Sequence, residues 1–327
     1  METSSKQGRV PFISKIAYGM GDVGCNFSWM FVSNFLMIFY TDVFGIGMSA
    51  VATLMLASRI WDAVNDPIIG TLTDKTHTRW GRFRPWQFFG GLISAVLLAV
   101  IFSGMFGLVN VNTTLFIVLF VITFIVLDVF YSLRDISFWG MIPALSNDSH
   151  ERSTYTALGS FGGSIGYNGL TIVVIPIVTF FSYVFTGKHQ ESQSGWTCFA
   201  IIVAILGVLT VCSVAFGTKE STSSLRAKAE ENGGPLAAFK AIAQNDQLLW
   251  VALSYLLYAI ANVATTGVLM YLFKFILDNS AAYSVVGVVS VVAGIVMAPL
   301  YPVLNRRIPR RYLYLGGMVL MVIGYLL

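Results

Sequence analysis

The sequence predicts an all-α, polytopic membrane protein, and three observations predict it. Hydrophobic residues make up 56% of the 327 and charged residues only 11%. A soluble domain carries about a quarter charged residues, so this chain cannot clothe a water-facing surface. The apolar runs exceed the roughly 20 residues that a spanning helix needs, and they lack the apolar-out, polar-in alternation of an outer-membrane barrel.

The runs follow one another in order. After a polar start, "METSSKQGRVPFISK", which lacks the apolar core of a cleavable signal, a first span covers 16–41. A second covers 46–73 and is closed by the basic hairpin "TDKTHTRWGRFRPW". Four more follow at 86–107, 113–143, 155–184 and 197–216. Residues 217–247 then break the pattern: "TKESTSSLRAKAEENGG" mixes charges, is poor in apolar residues and reads as a flexible linker. A short amphipathic piece, "PLAAFKAIAQ", ends it. Beyond lie spans at 248–276, 282–304 and 312–327. The second span after the linker is again followed by a basic hairpin, "NRRIPRRYLYLGG", a weak repeat. It divides the chain into a six-helix bundle (1–216), a linker loop (217–247) and part of a second bundle (248–327). The last run reaches Leu327 without a closing polar flank, which suggests a chain cut partway through a larger protein.

Basic residues sort by loop. All of the 20 except Lys188, Lys274, Arg59 and Arg134 fall on one side if the N-terminus is inside. The positive-inside rule therefore predicts a multi-pass cell-membrane protein with a cytoplasmic N-terminus. The net charge of +4 follows from that asymmetry. It implies a lipid bilayer partner and no nucleic acid, since no soluble domain gathers the bases into a patch.

Charges also occur where hydrocarbon is expected. In "ASRIWDAVNDPIIG", Arg59, Asp62 and Asp66 share one helix face at i, i+3 and i+7, with Asn65 on its border. Pro67 follows and leaves the carbonyl of Ala63 without its usual donor. On the fourth span, Asp128, Ser132, Asp135 and Trp139 recur at steps of four, three and four. On the first, Asp22 and Asn26 are one turn apart. At about 1.5 Å per residue, all three groups lie roughly 10–22 Å in from the cytoplasmic flank, a common level near the midplane. Charge there costs at least ~2.5 kcal/mol per residue. Structural ion pairs, Arg59 with Asp62 and Arg134 with Asp128, would account for part of the set. Five acids against two bases leave a surplus that needs an external cation or bound protons. The hard oxygen donors of Asp62, Asn65 and Asp66 suit Na⁺, and the carboxylates equally suit H⁺.

Other signals carry less. "GGSIG" at 162–166 matches a nucleophile-elbow pattern, yet it sits inside an apolar helical run. There glycines four apart point to close helix packing. Cys25, Cys198 and Cys212 have no metal-ligand spacing, and His77, His150 and His189 fall in loops. No nucleophile–base pair or metal cluster suggests an enzyme.

The stretches "AYGMGDVGCN", "FYTDVFG", "RIWDAVNDPIIG", "RWGRFRPW", "DISFWGMIP" and "NDQLLW" resemble the glycoside–pentoside–hexuronide:cation symporters of the major facilitator superfamily. The likeness runs from about Ile16 to the end of the chain, and the second-span stretch is its most specific part. It implies the major facilitator fold, two bundles of six helices, of which this chain would lack about three. It implies alternating access and cation-coupled import of a glycoside, pentoside or hexuronide, with Na⁺ or H⁺ as coupling ion and no other cofactor. By position, Asp62, Asn65, Asp66 and Ser132 match the family's cation site, and Asp135 and Trp139 its sugar contacts, with Asp22 and Asn26 completing the substrate face. Asn26 stands where the family's best-studied sugar site has a carboxylate, Cys25 where it has a lysine and Ser160 where it has an arginine. Those departures concern the sugar, not the cation. A proton-coupled antiporter of another solute and a non-transporting truncated homologue are the alternative readings.

Overall fold

A computed structural model describes residues 11–40, 45, 47–188, 190–220, 244–271, 276 and 283–326. Most of the predicted linker, His189, Lys274 and Leu327 lie outside these residues. The described residues form ten helices and no strand. They are α1 (Phe12–Ile38), α2 (Met48–Asp74), α3 (Arg84–Phe102), α4 (Leu108–Val111), α5 (Thr113–Leu145), α6 (Ser149–Thr186), α7 (Gln193–Gly217), α8 (Asp246–Tyr271), α9 (Tyr283–Arg307) and α10 (Arg310–Leu326). Four of them, α3, α5, α6 and α7, are long and apolar enough alone to cross a membrane. So is α9, bent by 45° between Met297 and Pro299, when taken whole. With 27 residues each, α1 and α2 also have the length, but they carry the polar residues singled out above.

Side-chain caps set several helix starts. Asn112 accepts from the Leu115 N–H at 3.0 Å, and Asp148 and Ser192 cap α6 and α7 in the same way. Gly187, at φ 70°, ends α6 in the left-handed conformation that glycine adopts without penalty. The third span ends earlier than the apolar run suggests. Residues 104–107 all have positive φ, and Ser103 Oγ accepts from the Phe106 N–H at 3.2 Å. Apolar character alone gave no sign of that turn, although Ser103, Gly104 and Gly107 are turn residues.

Packing centres on α1, which runs against α6 and α7, while α3 lies between α5 and α7. A Cβ added at Gly162 would meet the Gly19 carbonyl oxygen, and one at Gly166 the Val23 carbonyl oxygen. The "GGSIG" stretch is thus a helix-packing surface in the interior of α6. One core gathers Phe31, Phe102, Trp196 and Phe199 around α1, with Phe31 and Phe102 stacked at 4.0 Å. A second holds Tyr18 stacked on Phe138 at 4.2 Å, with the Tyr18 hydroxyl donating to the Phe138 carbonyl at 2.8 Å. In the α2–α3 hairpin, Gly81 has φ 112°. There Glu220 accepts from the N–H groups of Arg82, Phe83 and Arg84 at 2.8, 3.0 and 2.9 Å, so the end of α7 caps the start of α3. Past the break, α9 packs on α6, and Asn305 of α9 and Arg310 of α10 donate to Ser153 and Ser149 of α6, each at 2.8 Å.

Candidate functional site

A cavity of about 940 Å³ opens between these helices. It is lined from α1 by Asp22, Asn26 and Trp29, from α2 by Asp62 and Asp66, and from α5 by Asp128, Tyr131, Ser132, Asp135, Ile136 and Trp139. Ser160, Gly163, Ser164, Tyr167 and Asn168 of α6 face it, as do Tyr258 and Asn262 of α8 and Ser290 of α9. Each polar stripe read from the sequence reaches this one space. The helical period accounts for that: residues at steps of three and four project on one face, and three such faces turn inward together.

Asp22 is 2% exposed, and its Oδ1 has no hydrogen-bond partner among the described residues. The Asn26 amide donates to the Asp22 carbonyl at 3.2 Å. Gly163 of α6 comes so near that a Cβ there would strike Asp22 Oδ2 and lie 2.8 Å from Asn26 Nδ2. The thiol of Cys25 is buried, 3.4 Å from the Tyr131 hydroxyl and 3.8 Å from Asp135 Oδ1. Ligand atoms of Asp22, Cys25 and Asp135 lie within 4.8 Å of one another, so α1 and α5 bring two carboxylates together at one point of the wall. Trp139, one turn from Asp135, interacts with it and is 36% exposed. Trp29 stacks on Tyr131 at 4.7 Å, which adds an aromatic patch across the same pair of helices.

On the α2 side, Asp62 and Asp66 face the cavity one turn apart, and Ser132 of α5 reaches Asp66. Asp66 Oδ1 is a buried acceptor without a hydrogen-bond partner among the described residues. Asn65 is 6% exposed and does not line the cavity; its side-chain nitrogen has no partner among the described residues.

The family model described as MFS/sugar transport protein matches residues 17–327. The chain belongs to that family. Its relatives include a lactose permease of Leuconostoc lactis, 41% identical over 99% of this chain and 52% of that protein. They also include a raffinose carrier protein of Pediococcus pentosaceus, 32% identical over 95% and 50%, and an isoprimeverose transporter of Lactiplantibacillus pentosus, 31% identical over 97% and 64%. The chain spans about half the length of the first two. The family match, with relatives named glucuronide carrier protein homolog and putative glycoside/cation symporter in Escherichia coli, bears out the glycoside–pentoside–hexuronide:cation symporters as its family.

Within this family's cavity one expected pairing needs a correction. The expected pair of Arg134 with Asp128 is not formed. Ion pairs between described residues include Lys15–Glu151 at 3.2 Å and Arg82–Asp74 at 3.6 Å. Arg134 is 1% exposed and instead donates through Nη2 to the Gly21 carbonyl at 3.2 Å and to Thr210 Oγ1 at 3.5 Å. Six residues at about 100° each turn positions 128 and 134 roughly 120° apart on the helix, so one faces the cavity and the other α1 and α7. The Arg59 side chain lies outside what the structure describes. Sequence reasoning missed Trp29, Tyr131, the polar face of α6 beyond Ser160 and the contributions of α8 and α9. Trp29 continues the 22–26 stripe at i+3, and Ser164 and Asn168 are one turn apart, so the same periodicity would have found them. Tyr258, Asn262 and Ser290 carry no such pattern.

Proposed function

We propose that this chain carries the binding cavity of a cation-coupled symporter that imports a glycoside. The carrying observation is the shared cavity: two carboxylates and an aromatic face on α1 and α5 beside a second carboxylate pair on α2. An indole packs against the face of a sugar ring, and carboxylates accept from its hydroxyls in charge-assisted hydrogen bonds. Relatives named for lactose, raffinose and isoprimeverose support a disaccharide or trisaccharide as substrate. At about 940 Å³ the cavity has the upper size of ligand pockets, roughly 300–1,000 Å³. Asp22, Asn26, Asp135 and Trp139 hold the sugar. Asp62, Asn65, Asp66 and Ser132 serve the cation, Na⁺ or H⁺, whose inward flow drives uptake. Asn65 does so from behind the cavity wall, through the position of α2.

In this reading 1–216 and 248–327 belong to two bundles that rock about the cavity, joined by the 217–247 linker, in the cell membrane with the N-terminus inside. Uptake of labelled lactose and raffinose into vesicles bearing the protein, with an imposed Na⁺ or proton gradient, tests it. Gradient-stimulated accumulation of either sugar is the expected result. Equal counts with and without a gradient would remove the coupling, and no saccharide uptake at all would remove the function.

A further inference from the structure

Arg134 is the one buried lysine or arginine among the described residues. A charge taken out of water requires a compensating charge or a full set of hydrogen bonds. Its Nε has no partner and it belongs to no ion pair of the described residues. The compensation must therefore come from charges close by but not in direct contact. Two acids are adjacent by position. Arg134 Nη2 donates to the carbonyl of Gly21, the residue before Asp22, and Asp135 is its own neighbour in the chain. Both acids interact electrostatically with it. The guanidinium lies behind the wall and does not line the cavity. Its Nη2 reaches Thr210 of α7, and α3 packs on the backbone that carries it, where a Cβ at Gly90 would come 3.1 Å from the Arg134 amide nitrogen.

We propose that Arg134 is a positioning residue for the saccharide: from behind the α1–α5 wall it supplies the internal counter-charge that lets Asp22 and Asp135 stand together as hydrogen-bond acceptors. This rests on the saccharide reading above. It divides the electrostatics of the cavity in two. The α1–α5 half carries a cation of its own, while Asp62 and Asp66 on α2 belong to the coupling-ion site of that reading.

A double-mutant cycle tests it, by calorimetry with lactose on the intact protein in lipid nanodiscs. Arg134→Gln should weaken binding tenfold or more, and Arg134→Lys, which keeps the charge, by less than about threefold. In an Asp22→Asn background, where one negative charge is already gone, Arg134→Gln should cost under about threefold, whereas in Asp62→Asn it should still cost tenfold. A purely packing role would give the same cost in both backgrounds, and that result would overturn the proposal. So would wild-type binding by Arg134→Gln in a protein whose Asp135→Ala variant has lost lactose. If Asp135→Ala binds lactose like the wild type, the saccharide reading itself is overturned. Should Arg134→Gln fail to fold, thermal melting reads the same cycle: recovery with Asp22→Asn but not with Asp62→Asn supports the proposal, and recovery with neither overturns it.

Discussion

The two carboxylate groups of the cavity are built from the same residue type yet sit in different surroundings. On α1 and α5, Asp22 is nearly sealed, and Asp135 lies beside it with the Cys25 thiol, which also meets the Tyr131 hydroxyl, and a buried arginine next in the chain. On α2, Asp62 and Asp66 are carried by a helix that packs chiefly against α5, with Ile60, Val64 and Ile68 exposed at 67, 57 and 58%. One half is a preformed wall wedged among α1, α5, α6 and α7. The other is attached to the bundle by a single main contact. A preformed wall suits discrimination of a rigid sugar ring, because binding then costs little ordering. A helix with one main contact suits a part whose position changes when a small ion arrives.

The comparison breaks if the halves do not separate experimentally. The largest effect is expected on α2. Asp62→Asn and Asp66→Asn should each abolish cation-stimulated uptake while sugar binding stays measurable by calorimetry, and retained stimulation in both variants would unseat the cation assignment. Next comes Asp135→Ala, which should weaken sugar binding at least tenfold. A hydrogen bond to a charged acceptor is worth about 1.5–3 kcal/mol, and about 1.4 kcal/mol is a decade. Cation binding, followed by its protection of the α2 face in an accessibility assay, should change far less in that variant.

Gly163→Ala probes how tightly the sealed half is built. The new methyl would push against the end of the Asp22 side chain, which can shift. A loss of about three- to tenfold in sugar affinity, with melting temperature lowered by only a few degrees, is the expected outcome for a cost near 1 kcal/mol. An unchanged affinity would show that Asp22 does not need its present place. The smallest effect belongs to Trp139→Phe. A smaller aromatic face remains, so affinity should fall by roughly twofold to fivefold, within the range of about 0.5–1 kcal/mol for part of a ring contact. A loss as large as that of Asp135→Ala would move the main sugar contact from the carboxylate to the indole.

Much of this cavity was legible before any coordinates. Asp22, Asn26, Asp62, Asp66, Asp128, Ser132, Asp135 and Trp139 stand out because each interrupts an apolar run at helical spacing, and charge in hydrocarbon is costly enough to demand a reason. The long helices and the break near 217 were legible for a similar reason, since a spanning helix must satisfy its backbone within itself. The turn after Phe102 and the reach of α8 and α9 into the cavity were not, because neither depends on a periodic pattern.

What the sequence by itself determined, then, is which faces are polar: i, i+3, i+4 spacing is a property of one helix and needs no neighbour. Tertiary structure alone decided which faces meet. Arg134 shows the difference. Along the chain it is six residues from Asp128 and looks like its partner, but the helix turns the two roughly 120° apart, and packing delivers the guanidinium to the Gly21 carbonyl of another helix, 113 residues away. Glycines at 24 and 90 permit that arrangement, since a Cβ at Gly24 would strike Thr210 and one at Gly90 would press on the Arg134 backbone. A pattern within one helix records the direction of a side chain; its counter-charge is set by how closely the next backbone can approach.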